Sequence, residues 1–256
     1  MGLNLESYEK TFSTEATIDY KAVDKHIKKL EELDRYLPKM QSYILVQNTV
    51  DQRYEYICDN YEKLLGYKRK DALEKGMTFH FSNIHPEDVP NWLLILDELM
   101  IFTMSNVPKE ERIHCVYSWN YRLKNKKGKY VNIQVHQTPL YFDSKGKPIL
   151  GFSQNTVMGN VKKQPMVGVC KKLNDQNEYE TLFYKNYSES LLIDCLSNRE
   201  FDIVRLLAKG HTTKEISDKL NISTHTTATH RKNILSKLKF KSSIEIVNYC
   251  NQNHLF

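Results

Sequence analysis

The chain has 256 residues, of which 40% are hydrophobic and 27% are charged, a composition typical of a globular protein with about two domains. The formal net charge of +6 is uneven, because from Leu196 onward ten Lys and Arg face five Asp and Glu, and this short segment therefore carries +5. Five cysteines, odd in number and without a C-x-x-C pair, argue against a disulfide framework or a zinc site and indicate a reducing compartment.

Membrane association is not expected from this sequence. The N-terminus, MGLNLESYEK, lacks the basic start and apolar core of a signal peptide. The longest apolar run, Trp92–Leu96, is cut by Asp97 and Glu98 and is too short to span a bilayer. We therefore expect a cytoplasmic protein.

Residues 1–40 are predicted to form an N-terminal helical segment. Apolar side chains recur at helical spacing between Asp19 and Leu37, and Pro38 ends the pattern. Asp34 interrupts a strict heptad, so a long coiled coil is not expected. The helix is expected to pack on the following domain or on a second copy of the chain.

Residues 41–158 change to a pattern of short strands, helices and long strands. Their turn signals, built on Gly128 and Gly146, separate the last three strands as hairpins. The predicted elements are strands Tyr43–Gln47 and Tyr54–Ile57, helices Tyr61–Leu65 and Val89–Met104, and strands Ile113–Leu123, Tyr130–Leu140 and Ile149–Val157. The predicted fold class is α+β, an antiparallel sheet with helices on one face.

Three local motifs in this domain point to a family. They are C-D-N-Y-E-K-L-L-G-Y (Cys58–Tyr67), H-P-E-D (His85–Asp88) and G-K-Y-V-N-I-Q-V (Gly128–Val135). With the order of elements, they resemble a PAS sensor domain of the PAS_3 variety over roughly 115 residues. The resemblance implies a site for a ligand between the sheet and the central helices.

No cofactor is evident in this PAS-like domain, and an unknown small-molecule ligand is left open. The N-C-R-F-L-Q run of flavin-binding relatives is absent, and the helix Val89–Met104 carries no histidine for haem. His85 is expected to hydrogen-bond within its own turn, and the other histidines have no metal-ligand spacing. Cys115 and Trp119 either line a cavity or belong to the core.

Residues 159–190 are predicted to connect the two domains. Met166–Lys171 and Tyr179–Lys185 read as two strands around the turn residues Asn174–Asn177. Such a hairpin would couple the domains through packed structure instead of a flexible Gly/Ser linker.

Residues 191–256 are predicted to form an all-α domain of four short helices. Capping boxes start helices at Ser197, Thr212 and Ser242, and Gly210 ends the first helix. A three-residue turn, Asn221 to Ser223, then makes the next two helices cross sharply. The predicted helices Thr213–Leu220 and Thr224–Phe240 thus form a helix-turn-helix.

The second of these helices has two different faces at helical spacing. Thr227, Arg231, Ile234 and Leu238 form the predicted buried stripe, with His230 and Leu235 at its edges. His225, Thr229, Lys232 and Ser236 form the opposite face, with Ala228 and Asn233 at its edges. Donors and small side chains on this face suit the DNA major groove. The alternative is an ordinary amphipathic helix with a solvated polar face.

The C-terminal segment resembles the LuxR/NarL-type (GerE) DNA-binding domain, whose pattern is L-T/S-x-R-E … L-L-A-x-G-x-S/T-N-K-E-I-A … L-x-I-S-x-x-T-V-K-x-H-x-x-N-I-x-x-K-L. The matching residues are Leu196, Ser197, Arg199, Glu200, Leu206, Leu207, Ala208, Gly210, Lys214, Glu215, Ile216, Leu220, Ile222, Ser223, Thr226, His230, Asn233, Ile234, Lys237 and Leu238. Ala228 replaces the usual base-reading lysine, and Thr227 replaces a valine of similar shape.

The resemblance implies the roles of individual residues. Ala228, Thr229 and Lys232 would contact bases, while Lys214, Thr226 and Lys237 would contact phosphates. Relatives act as dimers through the last helix, here Ser242–Asn251, so a homodimer on a two-fold site is expected. Because the lysine at position 228 is missing, no operator can be carried over from relatives.

The sequence therefore predicts a transcriptional regulator that binds double-stranded DNA, with a PAS-like domain that senses a ligand or partner. The alternative is a protein-interaction adaptor whose helix-turn-helix contacts a protein, for which RNA polymerase is a candidate partner. An enzyme is not expected, because the sequence has no nucleophile elbow, phosphate loop or H-E-x-x-H motif.

Overall fold

The computed structural model describes residues 5–159, 164–189, 195–252 and 255. These residues fall into two units. The first contains residues 5–159 and 166–185, and the second contains residues 164–165, 186–189, 195–252 and 255. In the described part of the chain, no helix is long and apolar enough to cross a membrane.

The first unit is built on one seven-stranded sheet. Its helices are α1 (Leu5–Phe12), α2 (Tyr20–Asp34), α3 (Asn60–Leu65), α4 (Arg69–Asn83) and α5 (Val89–Asn106). Its strands are β1 (Ser42–Asn48), β2 (Arg53–Ile57), β3 (Cys115–Lys124), β4 (Tyr130–Phe142), β5 (Pro148–Val157), β6 (Val167–Leu173) and β7 (Tyr179–Asn186). A 3₁₀ helix, Lys109–His114, leads into β3. The strand order is β2-β1-β5-β4-β3-β6-β7.

Burial alternates strictly along β3, as expected for a strand with one face on the core. Cys115, Tyr117 and Trp119 point inward and are buried, and the residues between them are partly exposed. The β3–β4, β4–β5, β1–β5 and β1–β2 pairs are all antiparallel. This confirms the predicted α+β class, and five strands lie within two residues of the predicted bounds.

Helix α4 has no counterpart among the predicted elements, because its sequence lacks a clear apolar stripe. It also contains a kink at Gly76, whose φ of 56° and ψ of −141° are not helical. A Cβ at this position would lie 2.7 Å from the carbonyl oxygen of Gln52. Only glycine fits this backbone conformation and this close approach.

The segment after β5 extends the sheet. Strand β6 pairs antiparallel with β3, with Val169 opposite Ser118 and Cys170 opposite Tyr117. Strand β7 follows through a turn in which Asn174 N–H donates to the Glu178 carbonyl. Residues 166–185 therefore belong to the same unit as the PAS-like sheet.

Four helices are described in the second unit, as predicted. They are α6 (Asn198–Ala208), α7 (Thr213–Leu220), α8 (Thr224–Leu238) and α9 (Ser243–Gln252). Their apolar sides enclose one core, which includes Ile203, Val204, Ile216, Ile234 and Ile246, all fully buried. Burying such side chains contributes roughly 1.5–3 kcal/mol each.

The helix boundaries follow the predicted signals with two differences. Both groups of each capping box are present at Ser197 and Thr212. At Ser242 only the hydroxyl acts as predicted, because the Glu245 carboxylate accepts instead from the backbone N–H of Lys241. Helix α8 ends at Leu238, two residues before the predicted end, since Lys239 adopts the left-handed conformation.

Candidate functional site

The turn between α7 and α8 is fixed by its own backbone. Asn221 is left-handed, with φ 51° and ψ 49°, and ends α7. The N–H of Ile222 donates to the Ser217 carbonyl at 3.0 Å. The hydroxyl of Ser223 then accepts from the N–H of Thr226 at 3.0 Å and caps α8. These contacts set the angle at which α8 leaves the turn.

A pair of buried hydroxyls joins α7 to α8. Ser217 and Thr227 are 3% and 0% exposed, and their hydroxyl oxygens lie 2.7 Å apart. Each hydroxyl also has a backbone acceptor one turn earlier in its own helix, the Thr213 carbonyl at 2.7 Å for Ser217 and the Ser223 carbonyl at 3.2 Å for Thr227. The family pattern has alanine and valine at these two positions. The threonine at 227 is therefore not a neutral change of shape, since it forms a hydrogen bond that the usual pair lacks.

The predicted faces of α8 are confirmed. Thr227, Ile234 and Leu238 are buried, and the opposite face is exposed at His225, Ala228, Thr229, Lys232, Asn233 and Ser236. Arg231 lies on the inner side, where it donates to the hydroxyls of Thr213 and Ser243. Its guanidinium thus ties α8 to α7 and α9 and does not belong to the outer face.

Three of the predicted site residues lie together on this outer face. Ala228, Thr229 and Lys232 are exposed and span just over one turn of α8. Lys214 is exposed in the first turn of α7, and Thr226 is half-buried with its hydroxyl 2.8 Å from that of Ser223. Polar and small side chains are therefore presented from helices that the core holds rigidly.

Lys237 differs from the other predicted site residues. Its ammonium donates to the carboxylate of Glu200 at 2.6 Å, and that side chain is only 4% exposed. Burial raises the pKa of this carboxyl, but the hydrogen bonds from Lys237 and Ser197 outweigh that effect and leave the pKa below its usual value. This ion pair could not be predicted from the sequence, because residues 37 positions apart give no local signal.

The first unit contains a second candidate site, a cavity of about 30 Å³ between the sheet and the helices. Tyr8, His80, Trp92 and Trp119 are among its lining residues. Trp119 was expected either to line a cavity or to belong to the core. It is 7% exposed and lines this cavity. Cys115 is also buried but is not a lining residue.

The H-P-E-D turn has a structural role. The carboxylate of Asp88, 3% exposed, accepts from the Nε and one terminal nitrogen of Arg122 on β3 at 2.6–3.2 Å. The Nδ1 of His85 accepts from the N–H of Glu87 at 3.3 Å, which confirms the hydrogen bond expected within this turn. Across the residues that the structure describes, no group of three or more His, Cys, Asp and Glu could hold a metal ion.

Both units match known families. Residues 194–250 match the family described as bacterial regulatory proteins, luxR family, and residues 54–152 match the PAS fold. The Fimbriae Z protein of Escherichia coli strain K12 is 36% identical over 32% of this chain and 49% of that protein. The oxygen regulatory protein NreC of Staphylococcus carnosus is 46% identical over 21% of this chain and 25% of that protein. The chain thus spans less than half of the length of these curated relatives.

Solved structures with similar chains include the VqmA dimer of Vibrio cholerae in the absence of target DNA, at 15% identity and a TM-score of 0.34. That match covers 87% of this chain and 86% of the other. A PAS domain from Colwellia psychrerythraea is 14% identical, with a TM-score of 0.38, over 52% of this chain and 99% of the other. From the two family matches, the chain combines a PAS fold with a C-terminal domain of the luxR family of bacterial regulatory proteins.

Proposed function

We propose that the chain is a transcriptional regulator that binds double-stranded DNA by sequence and has no catalytic activity. The observation that carries this proposal is the outer face of α8. Ala228, Thr229 and Lys232 are exposed side by side there, on a helix whose inner face is buried. Such a face reads base edges when the helix enters the major groove.

Phosphate contacts would position this helix on the duplex. Lys214 and Thr226 keep their proposed role, because they lie at the starts of α7 and α8, where backbone N–H groups and the helix dipole also favour anions. Lys237 keeps it only in part, since its ammonium is already bonded to Glu200. The net charge of +5 from Leu196 onward supports binding to a polyanion.

The DNA-bound form is proposed to be a homodimer with half-sites about one helical turn apart. One feature of α9 supports this proposal. Ile244 is 71% exposed, and an isolated aliphatic side chain on the helix that serves as the interface in relatives is available for a partner copy.

The PAS fold is proposed to control DNA binding by holding a small molecule. Such a ligand would shift the population between two states of the protein only to the extent that it binds one state better. The proposed setting is the cytoplasm, and RNA polymerase is a candidate partner of the DNA-bound dimer.

Selection of binding sites from randomised duplex DNA by the full chain tests the proposal. An enriched two-fold motif at near-physiological salt is expected. Its half-sites will show which base is preferred opposite Ala228. The double variant Thr229→Ala/Lys232→Ala should lose this enrichment and keep its fold, because both side chains are exposed. Failure of the full chain to enrich any motif, together with a salt-independent complex with a protein, would favour the adaptor alternative.

A further inference from the structure

Two residues that line the cavity in the first unit carry hydrogen-bond donors without a partner. Trp92 and Trp119 are 3% and 7% exposed, and neither indole N–H has a partner among the described residues. Both side chains line the cavity. A buried donor without a partner costs roughly 1–3 kcal/mol, so two such groups at one cavity point to an occupant that carries acceptor atoms.

Part of the cavity is filled by the chain itself. Tyr8 of α1 is 1% exposed, and its ring lies parallel to that of Trp92, with 5.8 Å between centroids and 3° between planes. Its hydroxyl accepts a hydrogen bond from the Gln47 side-chain amide. Tyr8 thus occupies the position that a planar aromatic molecule with one acceptor would take.

The space that remains beside Tyr8 is small. The cavity of about 30 Å³ has room for one or two water molecules. A second cavity of about 40 Å³ shares Phe12, Leu96 and Trp119 with the first. Because α1 supplies both Tyr8 and Phe12, its withdrawal would join the two cavities and add the volume of two aromatic rings.

The lining of the first cavity selects against charge. It includes amide and hydroxyl groups but no Asp, Glu, Lys or Arg. His80 is also neutral near pH 7, because burial lowers its pKa to about 4. A charged ligand would lose its hydration here without a compensating partner, whereas a neutral acceptor would gain hydrogen bonds.

Helix α1 is held in a way that allows release. It has eight residues, and Tyr8 and Phe12 are the buried side chains among those described in it. One further contact runs from the Thr11 hydroxyl to Asp97 on α5, at 2.8 Å. A helix this short is marginal by itself in water, so its order depends on these contacts.

We propose that this cavity binds a planar, uncharged aromatic molecule with hydrogen-bond acceptors, that the molecule takes the place of Tyr8, and that its binding releases α1. This inference rests on the proposed role of the PAS fold as a ligand-binding domain. Tyr8 acts as an internal competitor, so the apparent affinity for the ligand is the intrinsic affinity multiplied by the fraction of molecules in which α1 is released.

The experiment uses p-cresol, which is the side chain of tyrosine, as the probe, and p-xylene as its match without a hydroxyl. The two tryptophans of the chain, Trp92 and Trp119, both line the cavity, so their fluorescence reports on it directly. Full-length Tyr8→Ala is expected to bind p-cresol saturably, about five-fold more tightly than p-xylene, since one hydrogen bond contributes about 1 kcal/mol. Tyr36→Ala, at an 84% exposed tyrosine, is the control and should bind p-cresol as weakly as the unchanged chain.

Hydrogen exchange in the unchanged chain tests the release of α1. Saturating p-cresol should accelerate exchange of residues 5–12 and leave that of α8 unaltered. Two results would overturn the proposal. One is folded Tyr8→Ala that does not bind p-cresol saturably, and the other is p-cresol binding to the unchanged chain without faster exchange of α1.

If Tyr8→Ala does not fold, Tyr8→Phe replaces it as the test. This variant keeps the ring, loses the bond to Gln47 and should bind p-cresol more tightly than the unchanged chain. Site selection on DNA is scored separately, so failure of either proposal leaves the other result standing.

Discussion

Lys237, in the last turn of α8, donates a hydrogen bond of 2.6 Å to the buried carboxylate of Glu200 in the first turn of α6. The same carboxylate accepts from the N–H of Ser197 at 2.8 Å. One acidic group therefore both caps α6 and fixes it against the helix that presents the proposed DNA-reading face. The side chain of Lys237 is 45% exposed, so the pair lies at the edge of the core.

Lys237→Ala is expected to destabilise the second unit by about 1–2 kcal/mol, because it leaves a buried carboxylate with fewer donors. The partial exposure of Lys237 keeps the loss below that of a fully buried pair. Hydrogen exchange of α6 under native conditions measures this loss locally. Lys214→Ala, at an exposed lysine of α7, is the control and should change stability by no more than about 0.5 kcal/mol. Equal effects of the two variants would show that the Glu200 pair does not stabilise the unit.

Lys232 and Lys214 should differ in what they contribute to DNA binding. Lys232→Ala is expected to cost about 1–3 kcal/mol on the selected motif and to relax preference at one base pair, because its side chain is proposed to reach a base edge. Lys214→Ala should weaken binding to all sequences alike and reduce the salt slope by about one, as expected for a lost phosphate contact. Titration of both variants on matched and mismatched duplexes at several salt concentrations separates the two effects. Intact specificity in Lys232→Ala would show that the outer face of α8 does not read bases.

The sequence predicted most accurately the features that depend on residues close together in the chain. Ser197 with Glu200 and Thr212 with Glu215 gave the two helix starts, because both partners of each capping box lie within one turn. The turn signals at Gly128 and Gly146 likewise predicted where β3, β4 and β5 are separated. These features depend on spacing alone, so one sequence suffices to find them.

Contacts between distant segments were missed for a physical reason. Strand β6 joins the sheet beside β3, although no short-range pattern specifies which edge a hairpin will choose. The stacking of Tyr8 on Trp92 joins α1 to α5 across more than eighty residues. Helix α1 buries two aromatic residues but has no extended apolar stripe. The helix is therefore stable only in its tertiary context.

The hydroxyl pair between α7 and α8 should show energetic coupling. Ser217→Ala and Thr227→Val are each expected to cost about 1 kcal/mol, because each leaves a buried hydroxyl with one partner fewer. The double variant restores the alanine and valine of the family pattern and should lose less than the sum of the two single variants. A coupling energy of about 0.5–1.5 kcal/mol, measured by native-state hydrogen exchange of α7 and α8, is expected from the double-mutant cycle. Strictly additive losses would mean that the two hydroxyls do not stabilise each other.

The cavity histidine makes the stability of the first unit depend on pH. Burial lowers the pKa of His80 from 6.5 to about 4, and its Nε2 lies 3.0 Å from the Tyr121 hydroxyl. Below pH 6.5 the unfolded chain takes up a proton at this residue and the folded chain does not, so stability falls as the pH is lowered and the effect levels off below about pH 4.

This contribution to the free energy of unfolding has an upper value of about 3 kcal/mol. Denaturant unfolding followed by the fluorescence of Trp92 and Trp119, both in the first unit, measures it between pH 7 and 4. His80→Gln should remove this share of the pH dependence, because its amide does not titrate and can still bond to Tyr121. His114→Gln, at an exposed histidine of the same unit, is the control. An unchanged slope in His80→Gln would show that folding does not lower the pKa of His80, and the argument that the cavity excludes charge would lose this support.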